Sequence, residues 1–173
     1  NSTSTFKINL ERNCRNSENI VNEASLNTGL PLVDCMKGNI FEPQLIYYED
    51  ESHMMDCIKE ILSKIKNAQV KNRLIGIITD SLKIRDNILE LIPETNKLDN
   101  DYFKHGIDKV GVDTDRRYKG IDNELMIYIG SSLFDETDEA YLCRLYVAIT
   151  RAKGRLYLLF PKSIMKKLIS FRM

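Results

Sequence analysis

The chain has 173 residues, enough for one core or for one domain with a small appendage. Its composition (43% hydrophobic, 29% charged, few glycines and prolines) excludes a disordered or fibrous polymer. Its 25 basic and 25 acidic residues cancel, whereas a protein that holds nucleic acid unaided carries a basic excess; any such contact must be local or shared with another domain.

In chain order, a weak strand is predicted at Phe6–Leu10, and Ser17 is a plausible N-cap for a helix with Ile20, Val21 and Ala24 on one face. A strand follows at Leu45–Tyr48. A helix then runs from about Ser52 to Asn67, with Met55, Ile58, Ile61, Leu62 and Ile65 as its apolar stripe. The run Leu74–Thr79 is apolar at consecutive positions, as expected of a parallel strand buried on both faces. Ser81 opens a third helix, which Pro93 stops. Then come a weak strand at Val110–Val112, a strand at Leu125–Ile129, a helix from about Thr137 to Ala152, a strand at Leu156–Phe160 and a last helix from Ser163. This alternation predicts a parallel sheet covered on both faces, with its chemistry beyond the C-terminal ends of the strands, in the loops that open the first, third and fourth helices.

Cys14, Cys35, Cys57 and Cys143 are scattered without a C-x-x-C pair, and His53 and His105 stand far apart, so no metal site is expected. No signal peptide and no apolar run long enough to cross a membrane is visible, which makes a reduced, cytoplasmic protein the expectation. The Ser/Thr/Asn-rich start at Asn1–Thr5 suggests a piece of something longer.

Three segments carry chemistry. Leu10-Glu11-Arg12-Asn13-Cys14-Arg15-Asn16-Ser17 reads by itself as a loop entering a capped helix. Val110 to Asp122, containing Thr114-Asp115-Arg116-Arg117-Tyr118-Lys119-Gly120-Ile121-Asp122, reads as a polar loop between two strands, with a turn at Gly120. Tyr146-Val147-Ala148-Ile149-Thr150-Arg151-Ala152-Lys153 reads as an amphipathic helix whose cations suit its C-terminal dipole. Taken together and in this order, the three resemble motifs IV, V and VI of UvrD/Rep-type superfamily 1 DNA helicases.

The resemblance implies that residues 1–173 form a single second RecA-like domain: an α/β three-layer sandwich with a mainly parallel sheet, lacking its own phosphate loop. It implies that Arg151 reaches the γ-phosphate of ATP held on the first RecA-like domain, where a planar fork of donors stabilises developing charge. Arg15 becomes a second phosphate-facing arginine. Asn13, Gly120 and Asp122 fall in the nucleotide site, Asp122 on the sugar, while Thr114 and Arg116 fall beside single-stranded DNA. The implied cofactors are ATP and Mg²⁺ in the longer protein, with none bound tightly here; the implied partners are single-stranded DNA and the first RecA-like domain, with no membrane.

The chain departs from the family pattern at Cys14, where a tyrosine commonly stacks on adenine, and at Arg116, Tyr118 and Asp122, which stand for His, a small residue and Glu. No G-x-x-x-x-G-K-[ST] loop is present, so the chain alone is not expected to hydrolyse ATP. About ninety residues separate motifs IV and V, without room for the large extra domain of UvrD and Rep; this points to a compact translocase or a motor coupled to an effector. Two other classes stay open: a helicase-like binding module that lost the motor, and an unrelated doubly wound enzyme, for which Asn13-Cys14-Arg15 offers little. Lys119 before Gly120 and Tyr146 before Val147 lean away from the related 5′-to-3′ helicases.

Overall fold

In the computed structural model, residues 12–32, 34–36, 41–99, 102, 108–118 and 120–171 are described, with the backbone alone at 12–15, 34–36 and 171. The elements are β1 (Arg12–Ser17), α1 (Glu18–Thr28), β2 (Asp34–Met36), β3 (Gln44–Tyr48), α2 (Glu51–Asn67), β4 (Ile75–Thr79), α3 (Leu82–Leu91), β5 (Thr95–Lys97), β6 (Val110–Thr114), β7 (Asn123–Ile129), α4 (Glu139–Ile149), β8 (Ala152–Pro161) and α5 (Met165–Phe171). Six strands form one sheet in the order β3-β8-β7-β4-β6-β5, every neighbouring pair parallel. β1 and β2 make a separate parallel pair.

The period of two along each central strand builds the layers. In β7, Leu125, Ile127 and Ile129 pack with Met55, Ile58 and Ile88 of α2 and α3, while Met126 and Tyr128 pack with Ile20 of α1 and Leu145 of α4. β8 repeats the split, with Tyr157 and Leu159 on the first side and Leu156, Leu158 and Phe160 on the second. This is the three-layer RecA-like α/β architecture expected from the sequence, with the sheet wholly parallel.

Ser17 takes the N-cap position of α1 without a side-chain cap bond, whereas three other helices start on side-chain caps. Asp50 accepts from His53 N at 2.9 Å for α2, Ser81 accepts from Ile84 N for α3, and Asp138 accepts from Tyr141 N at 3.0 Å for α4. α3 ends at Leu91, just ahead of Pro93. Three differences from the sequence reading stand out. Arg12–Ser17 is a strand rather than a loop, and the short β2 and β5 were not anticipated. α4 ends at Ile149 rather than near Ala152, because Ala152 already pairs with Asn123 as the first residue of β8. The predicted strand Phe6–Leu10 lies outside the described residues.

Candidate functional site

Arg151 stands at a junction between a helix end and a strand start. The apolar stripe Tyr141, Leu142, Leu145, Ala148 and Ile149 seats α4 on the sheet, and Thr150 closes it by donating its hydroxyl to Tyr146 O at 2.9 Å. The Asn16 amide, almost fully buried at the end of β1, donates to Thr150 O and to Ala152 O, both at 2.6 Å. Arg151 O itself accepts from Asn123 N at 3.1 Å. The backbone on both sides of Arg151 is therefore fixed by three elements, and a side chain so mounted is held in a narrow set of directions.

Its guanidinium donates from Nη1 to Asp122 Oδ1 at 3.1 Å, with both side chains more than four-fifths buried. Arg151 Nε is buried and, among the described residues, has no hydrogen-bond partner. A buried donor left unmade costs about 1–3 kcal/mol, and an anion oxygen brought to this fork would satisfy it. Asp122 is delivered by the loop from β6, in which Gly120 takes φ 74°; its absent Cβ would meet nothing within 4 Å, so the requirement there is conformational. Lys119 lies outside the described residues. Tyr118 is buried under the loop and donates its hydroxyl to Asn123 Oδ1; burial drives that hydroxyl far above its ordinary pKa. Gly76 makes the space, since a Cβ there would collide with the Tyr118 hydroxyl and come within 2.7 Å of Asn123 Oδ1.

Arg151 and Asp122 lie at the N-terminal ends of β8 and β7. This is the edge opposite the C-terminal strand ends named from the sequence, because α4 follows β7 and precedes the parallel β8, so its C-terminal end returns there. Thr114, by contrast, is the buried last residue of β6, and the exposed Arg116 follows it in a turn where Arg117 N and Tyr118 N both reach Thr114 O. The predicted site residues thus divide between two edges of one sheet, joined by the 115–122 crossover. Asn13 and Arg15 sit on the backbone of β1, and their side chains lie outside the described residues. Asn16, one residue beyond Arg15, was missed; a lone polar residue gives no sign in sequence of carbonyl partners 134 and 136 positions away.

A second polar group occupies the C-terminal edge between β4 and β7, neighbours whose following helices leave to opposite faces, where open α/β sheets bind ligands. Both carboxylate oxygens of Asp80 accept from Ser131 N at 2.9 and 3.0 Å, and Tyr141 donates its hydroxyl to Asp80 Oδ2 at 2.9 Å. Burial raises the Asp80 carboxyl above its ordinary pKa against the lowering effect of these bonds. Beside it opens a recess of about 310 Å³ lined in part by Tyr48, Ser81, Lys83 and Ser132. Nearby, Arg144 Nε donates to Asp115 Oδ2 at 3.2 Å. Among the described residues no group of His, Cys, Asp and Glu side chains is placed to hold a metal ion, and no helix is long and apolar enough to cross a membrane.

No family model matches the chain, and no curated protein matches it. Among solved structures it is similar to the C-terminal domain of a possible DNA helicase from Lactobacillus plantarum WCFS1. That likeness has a TM-score of 0.67 at 14% identity and covers 86% of this chain and 87% of that one. At this identity the likeness is one of fold.

Proposed function

We propose that this chain is the second motor domain of a UvrD/Rep-type, ATP-dependent DNA helicase or translocase. The observation that carries the reading is Arg151: its backbone is fixed on both sides, its Nε is buried without a partner among the described residues, and Asp122 accepts from its Nη1 at the sheet edge. ATP with Mg²⁺ on the first RecA-like domain supplies the phosphoryl group whose cleavage drives movement. Arg151 donates to the oxygens on which charge gathers, and Arg15, on the strand leading to Asn16, serves the same phosphates. Asp122 is the candidate for the sugar, with Gly120 shaping its loop and Asn13 at the same edge. Thr114 and Arg116 on the far edge lie along the single-stranded DNA track, where Arg116 meets a phosphate. The chain alone does not hydrolyse ATP, and a cytoplasmic setting belongs to the same reading.

One observation favours a second reading, a helicase-like module without a motor: Asp122 already occupies the Arg151 fork, and a neutralised arginine has less to give a phosphate. The test is DNA-stimulated ATP turnover by the longer protein. Under the motor reading Arg151→Ala lowers turnover about 10³-fold with nucleotide binding largely kept. Wild-type protein without turnover, or an Arg151→Ala protein as active as wild type, leaves the binding module.

A further inference from the structure

Two ion pairs join α4 and the turn that closes it to the 115–122 crossover, one at each edge of the sheet. Arg144 holds Asp115 at the edge where Thr114 and Arg116 emerge, and Arg151 holds Asp122 at the edge of the fixed arginine. Arg144 and Arg151 are seven positions apart, and so are Asp115 and Asp122. Arg144 lies within α4, and Arg151 stands two residues past its last residue, just beyond the C-cap Thr150, so one element carries both arginines to the crossover. The crossover is anchored at its middle by the buried Tyr118 and at its start by Asp115 N, which donates to Thr79 O at 2.9 Å. The acids are covered, with Asp115 5% and Asp122 19% exposed, so neither pair is one of the solvent-screened contacts that contribute nothing measurable.

We infer that α4 and the crossover form a two-ended coupling frame, in which Arg144 is a positioning residue that ties the Thr114–Arg116 turn to the state of Arg151. The logic is competition. Asp122 occupies Nη1 of Arg151, so an anion that takes the fork must share it with Asp122 or displace it. A displaced Asp122 moves the end of the crossover, and Tyr118 and the Arg144–Asp115 pair carry that movement to the turn. In the other direction, a ligand that draws on the turn pulls Asp115 against Arg144 and shifts α4, on whose end Arg151 is mounted. Such coupling is reciprocal by linkage. The frame rests on the functional reading above only for what binds at each edge; its mechanical claim concerns this chain alone.

Amide hydrogen exchange by NMR on the full 173-residue chain tests it. The reporters are Asp115 N, Arg117 N and Tyr118 N at one edge and Arg151 N and Asn123 N at the other, each of which donates within the fold. Arg144→Met is expected to speed exchange about tenfold at both edges, Asp122→Ala to do the same, and the double variant to add little to either, because coupled sites are not additive. Arg144→Lys, which keeps the charge, restores most of the protection at the far edge. A change confined to the mutated edge overturns the frame, and so does a rise that spreads into α2, which marks general loosening. Turnover is no part of this readout. A protein without ATP hydrolysis whose two edges still exchange together removes the motor reading and keeps the frame; edges that exchange independently remove the frame whatever the turnover.

Discussion

Asp80 takes up three hydrogen bonds in a place where burial works against its charge. Its carboxyl lies above the ordinary aspartate value near 3.9, with desolvation the larger cause and the bonds from Ser131 and Tyr141 opposing it. A raised folded pKa means that the folded chain holds the proton more tightly than the unfolded one. The resulting stability is complete below about pH 4 and is lost as pH rises through the folded value. Wild type is therefore expected to lose stability relative to Asp80→Asn as pH rises from about 4 toward neutrality. Urea melts at several pH values measure this; a difference that stays flat or grows in the opposite sense removes the assignment. Tyr48 and Tyr141 are raised through burial and through Asp80 itself, so both phenols stay protonated throughout that range.

At the scale of elements, Asn16 is where β1 meets the main sheet. Its single amide serves two carbonyls of the α4–β8 junction, so Asn16→Ala leaves one buried and one part-buried acceptor to find other donors, at about 1–3 kcal/mol for the buried one. The expected result is a lower urea midpoint together with earlier proteolytic cutting in β1 and β2; a midpoint equal to that of wild type would falsify the anchoring role. Elements were legible in the sequence where their apolar runs are long: β6, buried throughout, reads as weak because Gly111, Asp113 and Thr114 interrupt it. Within β4, β7 and β8 the runs Leu74–Thr79, Leu125–Ile129 and Leu156–Phe160 announce strands covered on both faces, and Ser81 marks a helix start through a local hydrogen bond. β2 and β5, at three residues each, are too short to show a period, and Arg12–Ser17 is polar but for Cys14 and shows no strand alternation. The end of α4 was misplaced because Tyr146 to Ala152 keeps a helical pattern, while strand pairing with Asn123 decides the backbone. Arg151 and Asp122 were visible as members of motifs. That they meet each other, on the edge opposite Thr114, depends on the crossover and could not be read from spacing.

For the molecule as a whole, balanced charge means that any hold on nucleic acid comes from a few placed cations rather than from a general field. Under the motor reading, binding of single-stranded DNA by the longer protein weakens with salt, and Arg116→Gln lessens the slope of log K against log salt by about 0.7, the value for one lost phosphate contact. Filter binding at four salt concentrations measures it, and an unchanged slope takes Arg116 off the track. The sheet order carries a different consequence, for the making of the protein. β8 lies between β3 and β7, so Gln44 must wait for Tyr157 before it has a neighbour. During synthesis β3 and β7 emerge first, each with an unpaired side facing the cell, and β8 closes both at once when it arrives. Strand edges left open in this way invite pairing with other nascent chains. The interval between the emergence of β7 and that of β8 is thus when this chain has most need of a chaperone, and slow translation across α4 would lengthen it.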